Sequence, residues 1–250
     1  MKEEFIDIHC HLLPGVDDGS KNLEMTEKMV KVAYENGIVG MVFTPHIKVP
    51  IYDVSDIIIR KKFLEIREYL KGKFPKMHIY LGGEFYYMQG VLEDTPEKIR
   101  TINDTNYVLT EFSPGVCYED IIRAVQNLRY HGYDVILAHI ERYSCLVSDI
   151  YNVMHLKELG VVIQINSRSI THPINKKVKN FIRESLANQL VDIVATDAHD
   201  LDRRKPILRD GWSFTARKCG EEYANLIFSE NGLAILQGKK IKTGGMIIEQ

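Results

Sequence analysis

At 250 residues, with 45% hydrophobic and 26% charged side chains, the chain has the composition of a soluble globular protein, and a formal net charge of -2 gives no reason to expect a nucleic-acid partner. No apolar run approaches the ~18 residues needed to cross a bilayer, and Met1-Lys2-Glu3-Glu4 runs straight into an apolar segment, so it reads as the approach to a strand rather than a signal peptide. The expectation is a cytoplasmic protein that is not membrane-embedded. Cys10, Cys117, Cys145 and Cys219 then read as free thiols, since no Cys-x-x-Cys pair occurs.

In chain order, the first strand-like run, Phe5 to Ile8, delivers His9-Cys10-His11, with Asp17-Asp18 a few residues on. Leu23 to Asn36 places Met25, Met29, Val32 and Ala33 on one helical face, with Gly37 as its stop. The run Gly40 to Phe43 delivers Thr44-Pro45-His46, and Ser55 opens a helix rich in Ile, Phe and Leu that reaches Leu70. Ile79 to Gly83 precedes Glu84, and Tyr107 to Thr110 precedes Glu111. Tyr118 to His131 is the next helix; Val135 to Ala138 then ends on His139, and Ser148 is the expected cap of a helix closing at Leu159-Gly160. Val161 to Ile165 ends on Asn166, Asn175 to Ala187 is helical, and Ile193 to Thr196 ends on Asp197-Ala198-His199. Further helical turns follow from Pro206.

These endings lie 27 to 38 residues apart, the length of a strand, a loop and a helix. Near-continuous apolar strands alternating with amphipathic helices imply a parallel sheet covered by helices. A doubly wound open sheet would gather ligands at one crevice, and its phosphate-binding glycine signatures are absent. A closed barrel presents every strand's C-terminal end to a common site, which suits seven functional endings. One domain over residues 1–250 is expected, because no linker or composition shift interrupts the chain.

His9 and His11, two apart on a strand, project from one face, and Asp197 and His199 repeat the arrangement. With Asp18, His46, Glu84, Glu111 and His139 they make five histidines and four carboxylates. That is too many for one ion of about four ligands and suits two or three ions, with carboxylates bridging. A nitrogen and oxygen set without thiolate points to manganese, iron or zinc. Such a cluster activates water, so hydrolysis is the expected chemistry. Three divalent ions against four carboxylates leave roughly +2, which draws a phosphomonoester. Arg142, three past His139, and Arg204 (or its neighbour Arg203) offer planar guanidinium forks for phosphate oxygens; they equally suit surface ion pairs. Asn166 reads as a backbone-bonding loop residue, and His78, His131, His155 and His172 lie off the pattern and read as structural. Cys117 to Arg123 matches the Cys-x5-Arg of cysteine-dependent tyrosine phosphatases. Its loop, however, carries two acids and no glycine, where that mechanism needs a cradle of backbone N–H groups.

With these residues assembled, the chain resembles the PHP (polymerase and histidinol phosphatase) superfamily through Ile6-Asp7-Ile8-His9-Cys10-His11 with Asp17-Asp18-Gly19, Thr44-Pro45-His46, and Asp197-Ala198-His199. Leu12 to Gly19, Ile102 to Tyr107, Leu109-Thr110-Glu111-Phe112, Ala138-His139-Ile140-Glu141-Arg142 and Ala195 to Asp200 are similar to the bacterial manganese-dependent protein-tyrosine phosphatases of capsule and exopolysaccharide operons. The resemblance implies a distorted (β/α)7 barrel with a trinuclear site. One ion would take His9, His11, Asp197 and Glu84; a second Glu84, Glu111 and His139; a third Asp18, His46 and His199. It further implies that Arg142 and Arg204 hold the phosphoryl group while a metal-bound hydroxide attacks phosphorus directly. The implied substrate is phosphotyrosine on protein, in the tail of a polysaccharide-synthesis tyrosine kinase. Histidinol-phosphate phosphatase is the alternative within the superfamily. Ile47, with Lys48 next, departs from members that carry a basic residue straight after the second-motif histidine, which bears on how the phosphotyrosine entrance is lined.

Overall fold

The computed structural model describes residues 3–88 and 99–243, so Met1 and Lys2 lie outside it. Among these residues every strand pairing is parallel. Strands β1 (Phe5–Cys10), β2 (Ile38–Phe43) and β4 (His78–Leu81) form one sheet in the order β1-β2-β4. Strands β3 (His46–Ile47), β5 (Glu84–Tyr86), β6 (Tyr107–Glu111), β7 (Asp134–Leu137), β8 (Val162–Asn166) and β9 (Ile193–Ala195) form the second, in the order β3-β5-β6-β7-β8-β9.

The two sheets are one curled surface. Thr44-Pro45 separates β2 from β3, where proline offers no N–H to the ladder. Gly82-Gly83 separates β4 from β5; a Cβ at Gly83 would lie 2.5 Å from Ile47 Cδ1, so a side chain there would push the Ile47 side chain aside. Hydrogen bonds from Gly82 N to Phe43 O (2.9 Å) and Glu84 N to Pro45 O (3.2 Å) carry the pairing across the break. The short strands therefore occupy seven positions in chain order. Past the strand ends, β1 meets β9 through a bridge between Cys10 and Ala198, with His11 N on Ala198 O at 2.8 Å. The result is a distorted (β/α)7 barrel.

The inward faces of the strands supply a compact apolar cluster that includes Ile6, Ile8, Val42, Leu109, Ile136, Ala138, Val162, Ile193 and Ala195, closed at one end by Ile102, Ile235 and Leu236. The outward faces pack against helices. Helix α1 (Leu23–Glu35) buries Met29, Val30 and Ala33, α2 (Asp56–Lys71) buries Ile59, Phe63, Ile66 and Leu70, and α3 (Tyr118–Tyr130) buries Ile121, Ala124, Val125 and Leu128. The spacing of three and four residues is the apolar stripe of a surface helix.

Caps differ partly from expectation. Asn175 Oδ1 accepts from Val178 N at 2.9 Å at the start of Lys176–Ala187, but Ser55 makes no side-chain cap bond ahead of α2. Ser148 is not a cap either. It ends a short helix, Ser144–Ser148, with its hydroxyl on Ser144 O, and Asp149 caps the helix Ile150–Glu158 by accepting from Tyr151 N. Asp149 has a free acceptor beside the first turn, whereas the Ser148 backbone is still helical. After Pro206 the helical turns are Arg209–Cys219, Glu221–Asn225, a π-turn at Leu226–Glu230, and Asn231–Leu236. No helix among the described residues is long and apolar enough to cross a membrane.

Candidate metal centre

The nine nitrogen and oxygen ligand candidates come together at the C-terminal ends of the strands, and local backbone departures aim several of them. A regular strand would send consecutive residues to opposite faces. In β1 the register slips between Asp7 and Cys10, so Ile8 packs in the inner cluster while His9 and His11 also reach the site; Cys10 turns outward into the helix-side core. At the end of β7, Ala138 faces inward and His139, next along, joins it by adopting a left-handed backbone, φ 33°. Asp197 is also left-handed, φ 52°. Such conformations cost about 1–3 kcal/mol for residues other than glycine and mark functional strain. Asp18 arrives on a loop folded tightly over His11, where Ser20 N bonds His11 O at 2.9 Å and a Cβ at Gly19 would stand 2.0 Å from that oxygen.

Glu84 is the hub. Its Oε1 lies 3.2 Å from His9 Nε2 and 2.9 Å from His139 Nε2, and its Oε2 lies 3.2 Å from His11 Nε2 and 2.9 Å from His46 Nδ1. Glu111 adds Oε1 at 3.1 Å from His46 Nδ1 and Oε2 at 3.8 Å from His139 Nε2. Asp197 Oδ1 stands 3.5 Å from both His9 Nε2 and His11 Nε2. On the outer side, Asp18 Oδ1 is 3.4 Å from His46 Nε2 and from His199 Nε2. Among the described residues, three overlapping groups have donor atoms close enough together to share an ion: His9, His11 and Glu84; His46, Glu84 and Glu111; and His11, Asp18, His46 and His199.

A second layer sets the imidazoles. Asp17 Oδ2 lies 2.7 Å from His11 Nδ1, and Gln164 Oε1 lies 3.1 Å from His9 Nδ1. Each acceptor fixes the proton on Nδ1 and turns the Nε2 lone pair into the site, as ligating histidines require. Gln164 Oε1 also accepts from His139 N, Gln164 Nε2 donates to Asn166 Oδ1, and Asn166 Nδ2 donates to Asp197 Oδ2 at 2.9 Å. Tyr52 stacks on His46 with ring centroids 5.4 Å apart.

The electrostatics are those of a cluster held together by protons. Burial disfavours the charged form of His11, but Asp17 and Glu84 outweigh it and push its pKa up to about 9; His46 is raised by Asp18, Glu111 and Glu84 against the same penalty. Burial likewise opposes the charge on Glu84 and Asp197, yet the neighbouring histidines, and for Asp197 the two arginines, hold both below the ordinary carboxylate range. His199 is lowered by burial and by His11 beside it. At the site, His46 Nδ1, Glu84 Oε2 and His199 Nε2 make no well-aligned hydrogen bond among the described residues, although His46 Nδ1 and Glu84 Oε2 lie 2.9 Å apart and His199 Nε2 stands 3.4 Å from Asp18 Oδ1. Unsatisfied buried donors and acceptors converging on one point fit divalent cations, which substitute for protons on such ligands.

Arg142 and Arg204 both pair with Asp197, through Oδ2 and Oδ1 respectively, with side chains 39% and 31% exposed. Both line a cavity of about 690 Å³ beside the ligand cluster. Arg203 is exposed and lines a different, smaller cavity, so Arg204 is the one at the site. Cys117 lies apart: its thiol donates to Asp120 Oδ2 at 2.7 Å, and that bond raises its pKa, the reverse of an activated nucleophile.

Sequence reasoning passes over Asp17, Gln164 and the role of Asn166. Gln164 carries a legible signal, being the one polar residue inside the apolar run Val161 to Ile165, two before Asn166 and therefore on its face. Asn166 bonds through its side chain within the site as well as accepting its backbone role, its N–H donating to Glu141 Oε1. His78, His131 and His155 sit away from the cluster as expected; His172 lines the 690 Å³ cavity.

Residues 5–237 match the family described as "Capsular polysaccharide synthesis, CpsB/CapC". The tyrosine-protein phosphatase CpsB of Streptococcus agalactiae serotype V is 35% identical over 242 residues, covering 94% of this chain and 100% of its own length. A solved structure from work on YwqE of Bacillus subtilis and CpsB of Streptococcus pneumoniae, described as unique metal-dependent tyrosine phosphatases, superposes with a TM-score of 0.88 at 27% identity, covering 96% of this chain and 97% of that one. Histidinol phosphate phosphatase of Lactococcus lactis shares the fold alone, with a TM-score of 0.56 at 18% identity, covering 96% of this chain and 99% of that one. On its strand ends, its barrel and its match along almost all of its length, this chain belongs to the CpsB/CapC capsular polysaccharide synthesis family.

Proposed function

We propose that the chain is a metal-dependent protein-tyrosine phosphatase of polysaccharide synthesis, a single cytoplasmic domain acting on phosphotyrosine. The observation that carries this is the convergence of five histidines and four carboxylates beside two guanidiniums that face one open cavity. Family membership supports the same reading, since the relatives are tyrosine-protein phosphatases.

His9, His11, Glu84 and Asp197 would hold one ion, Glu84, Glu111 and His139 a second, and Asp18, His46 and His199 a third. The donor set suits manganese, with iron and zinc as competitors. When bound, such ions activate water and neutralise charge on the phosphoryl group. The chain's own residues do the rest. Asp17 and Gln164 keep His11 and His9 in the ligating tautomer. Arg142 and Arg204 present planar forks to phosphate oxygens from the cavity side, and Asp197 holds both in position. A phosphotyrosine in the tail of a polysaccharide-synthesis kinase is the proposed partner, because a flexible tail can reach an open strand-end site.

The test is turnover of a phosphotyrosine peptide, a phosphoserine peptide and histidinol phosphate side by side, with elemental analysis of the bound metal. The phosphotyrosine peptide should show the highest kcat/KM. A far higher value for histidinol phosphate would transfer the assignment to that small metabolite.

A further inference from the structure

The 690 Å³ cavity extends beyond the phosphate-facing arginines, and its outer wall is basic. Arg142 follows β7, Arg204 follows β9, and the connection between β8 and β9 adds Arg168, His172 and Lys177. The acid lining the same cavity is Glu141, which is buried, with Oε1 accepting from Asn166 N. Arg142 and Arg204 are committed to Asp197. Arg168 and Lys177 are not matched in this way. Lys177 Nζ donates only to the neutral Ser148 hydroxyl, at 3.0 Å, and the Arg168 guanidinium has no carboxylate partner among the described residues. The adjoining cavity, which Arg168 and His172 also line, differs in carrying acids, Asp202 and Asp210, alongside Arg203 and Lys205.

We infer that Arg168 and Lys177 form a second anion subsite, which binds a negatively charged group flanking the phosphotyrosine on the same peptide, either an acidic side chain or a second phosphate. The inference rests on the phosphotyrosine-phosphatase reading above and adds a sequence preference to it. A cavity this size is much larger than one phosphoryl group needs and accommodates neighbouring residues of an extended peptide, which advances about 3.3 Å per residue. Exposed, unpaired cations at its rim act at long range and lose their effect in salt. Two separated cations against a flexible peptide give modest selectivity, of the size that surface charge pairs provide.

The experiment measures kcat/KM on two phosphotyrosine peptides of equal length. One carries Glu or phosphotyrosine two to four positions from the target and the other Gln or Tyr there. The manganese-loaded wild type should favour the acidic peptides about 5- to 10-fold at low ionic strength, consistent with about 1 kcal/mol. The Arg168→Ala/Lys177→Ala double variant should bring that ratio close to one, as should 0.5 M salt, while Lys179→Ala on the same helix should leave the ratio intact. Glu and phosphotyrosine flanks tested separately distinguish a carboxylate from a phosphate as the preferred anion. A wild-type ratio near one, or a ratio the double variant does not alter, would overturn the subsite with the phosphatase reading standing. No hydrolysis of any peptide by metal-loaded wild type would remove the phosphotyrosine reading and the subsite with it.

Discussion

Asp17→Asn isolates the layer behind the candidate metal ligands. The Asp17 side chain is fully buried and uses both oxygens: Oδ2 faces His11 Nδ1 at 2.7 Å and accepts from His46 N at 3.1 Å, and Oδ1 accepts from Gly19 N at 3.0 Å. Burial works against its charge, but His11 holds it ionised below its ordinary pKa. Asparagine keeps the shape and offers one acceptor oxygen. If that oxygen serves His11, the amide NH₂ points at the Gly19 N–H and one bond is replaced by a donor–donor contact. The histidine also loses the anion that raises its basicity. Losing a hydrogen bond to a charged group costs about 1.5–3 kcal/mol, or about 10- to 150-fold, in line with the 10- to 100-fold typical of outer-layer partners. The assay is competition with a calibrated chelator for manganese, followed by kcat at saturating metal. Metal affinity should fall by about 10- to 100-fold, with part of the activity returning as metal is raised. An asparagine variant that binds metal within threefold of wild type would refute the claim that Asp17 tunes His11 as a ligand.

His46→Ala or Glu111→Ala should lower kcat by at least about two orders of magnitude, since His46 is a donor shared by two of the ligand groups and Glu111 completes one of them; steady-state kinetics at saturating metal checks this, and near-normal kcat would contradict it. Cys117→Ser should leave phosphatase activity nearly unchanged, and a severe loss would reinstate a cysteine nucleophile. Far from the site, Lys157 pairs with Asp192, which is 1% exposed and whose Oδ2 accepts from Ile163 N at 2.9 Å. Burial already pushes the Asp192 carboxyl above its usual pKa despite Lys157. Lys157→Met should therefore destabilise the fold by about 3–5 kcal/mol, read from urea unfolding, and a loss below about 1 kcal/mol would show the pair to be dispensable.

The convergence of the ligand candidates was legible in the sequence because all but Asp18 sit at or just past a strand end, the same phase of a repeated strand–helix unit, and parallel barrels bring that phase to one end. Helix faces were legible in part: on the first helix Met29 and Ala33 are buried as their spacing requires, whereas Met25 and Val32 are only half-buried and Thr26 and Val30 turn to the core. Period and position along the chain are local properties. What the folded chain alone decided is how neighbours in sequence become non-neighbours in space. His139 follows inward-facing Ala138 and still joins the cluster, which takes a left-handed backbone that no alternation rule anticipates. Ser148 lost its capping role to Asp149 because a helix had already formed ahead of it. Asp17, Gln164 and Asn166 gained their roles from partners up to 155 residues away, and the choice of Arg204 over Arg203 was made by which guanidinium reaches Asp197. A short-range pattern can say which atoms are able to bind a cation. Only long-range packing, which sets distances to a few tenths of an ångström and removes water from between the donors, determines which of them do.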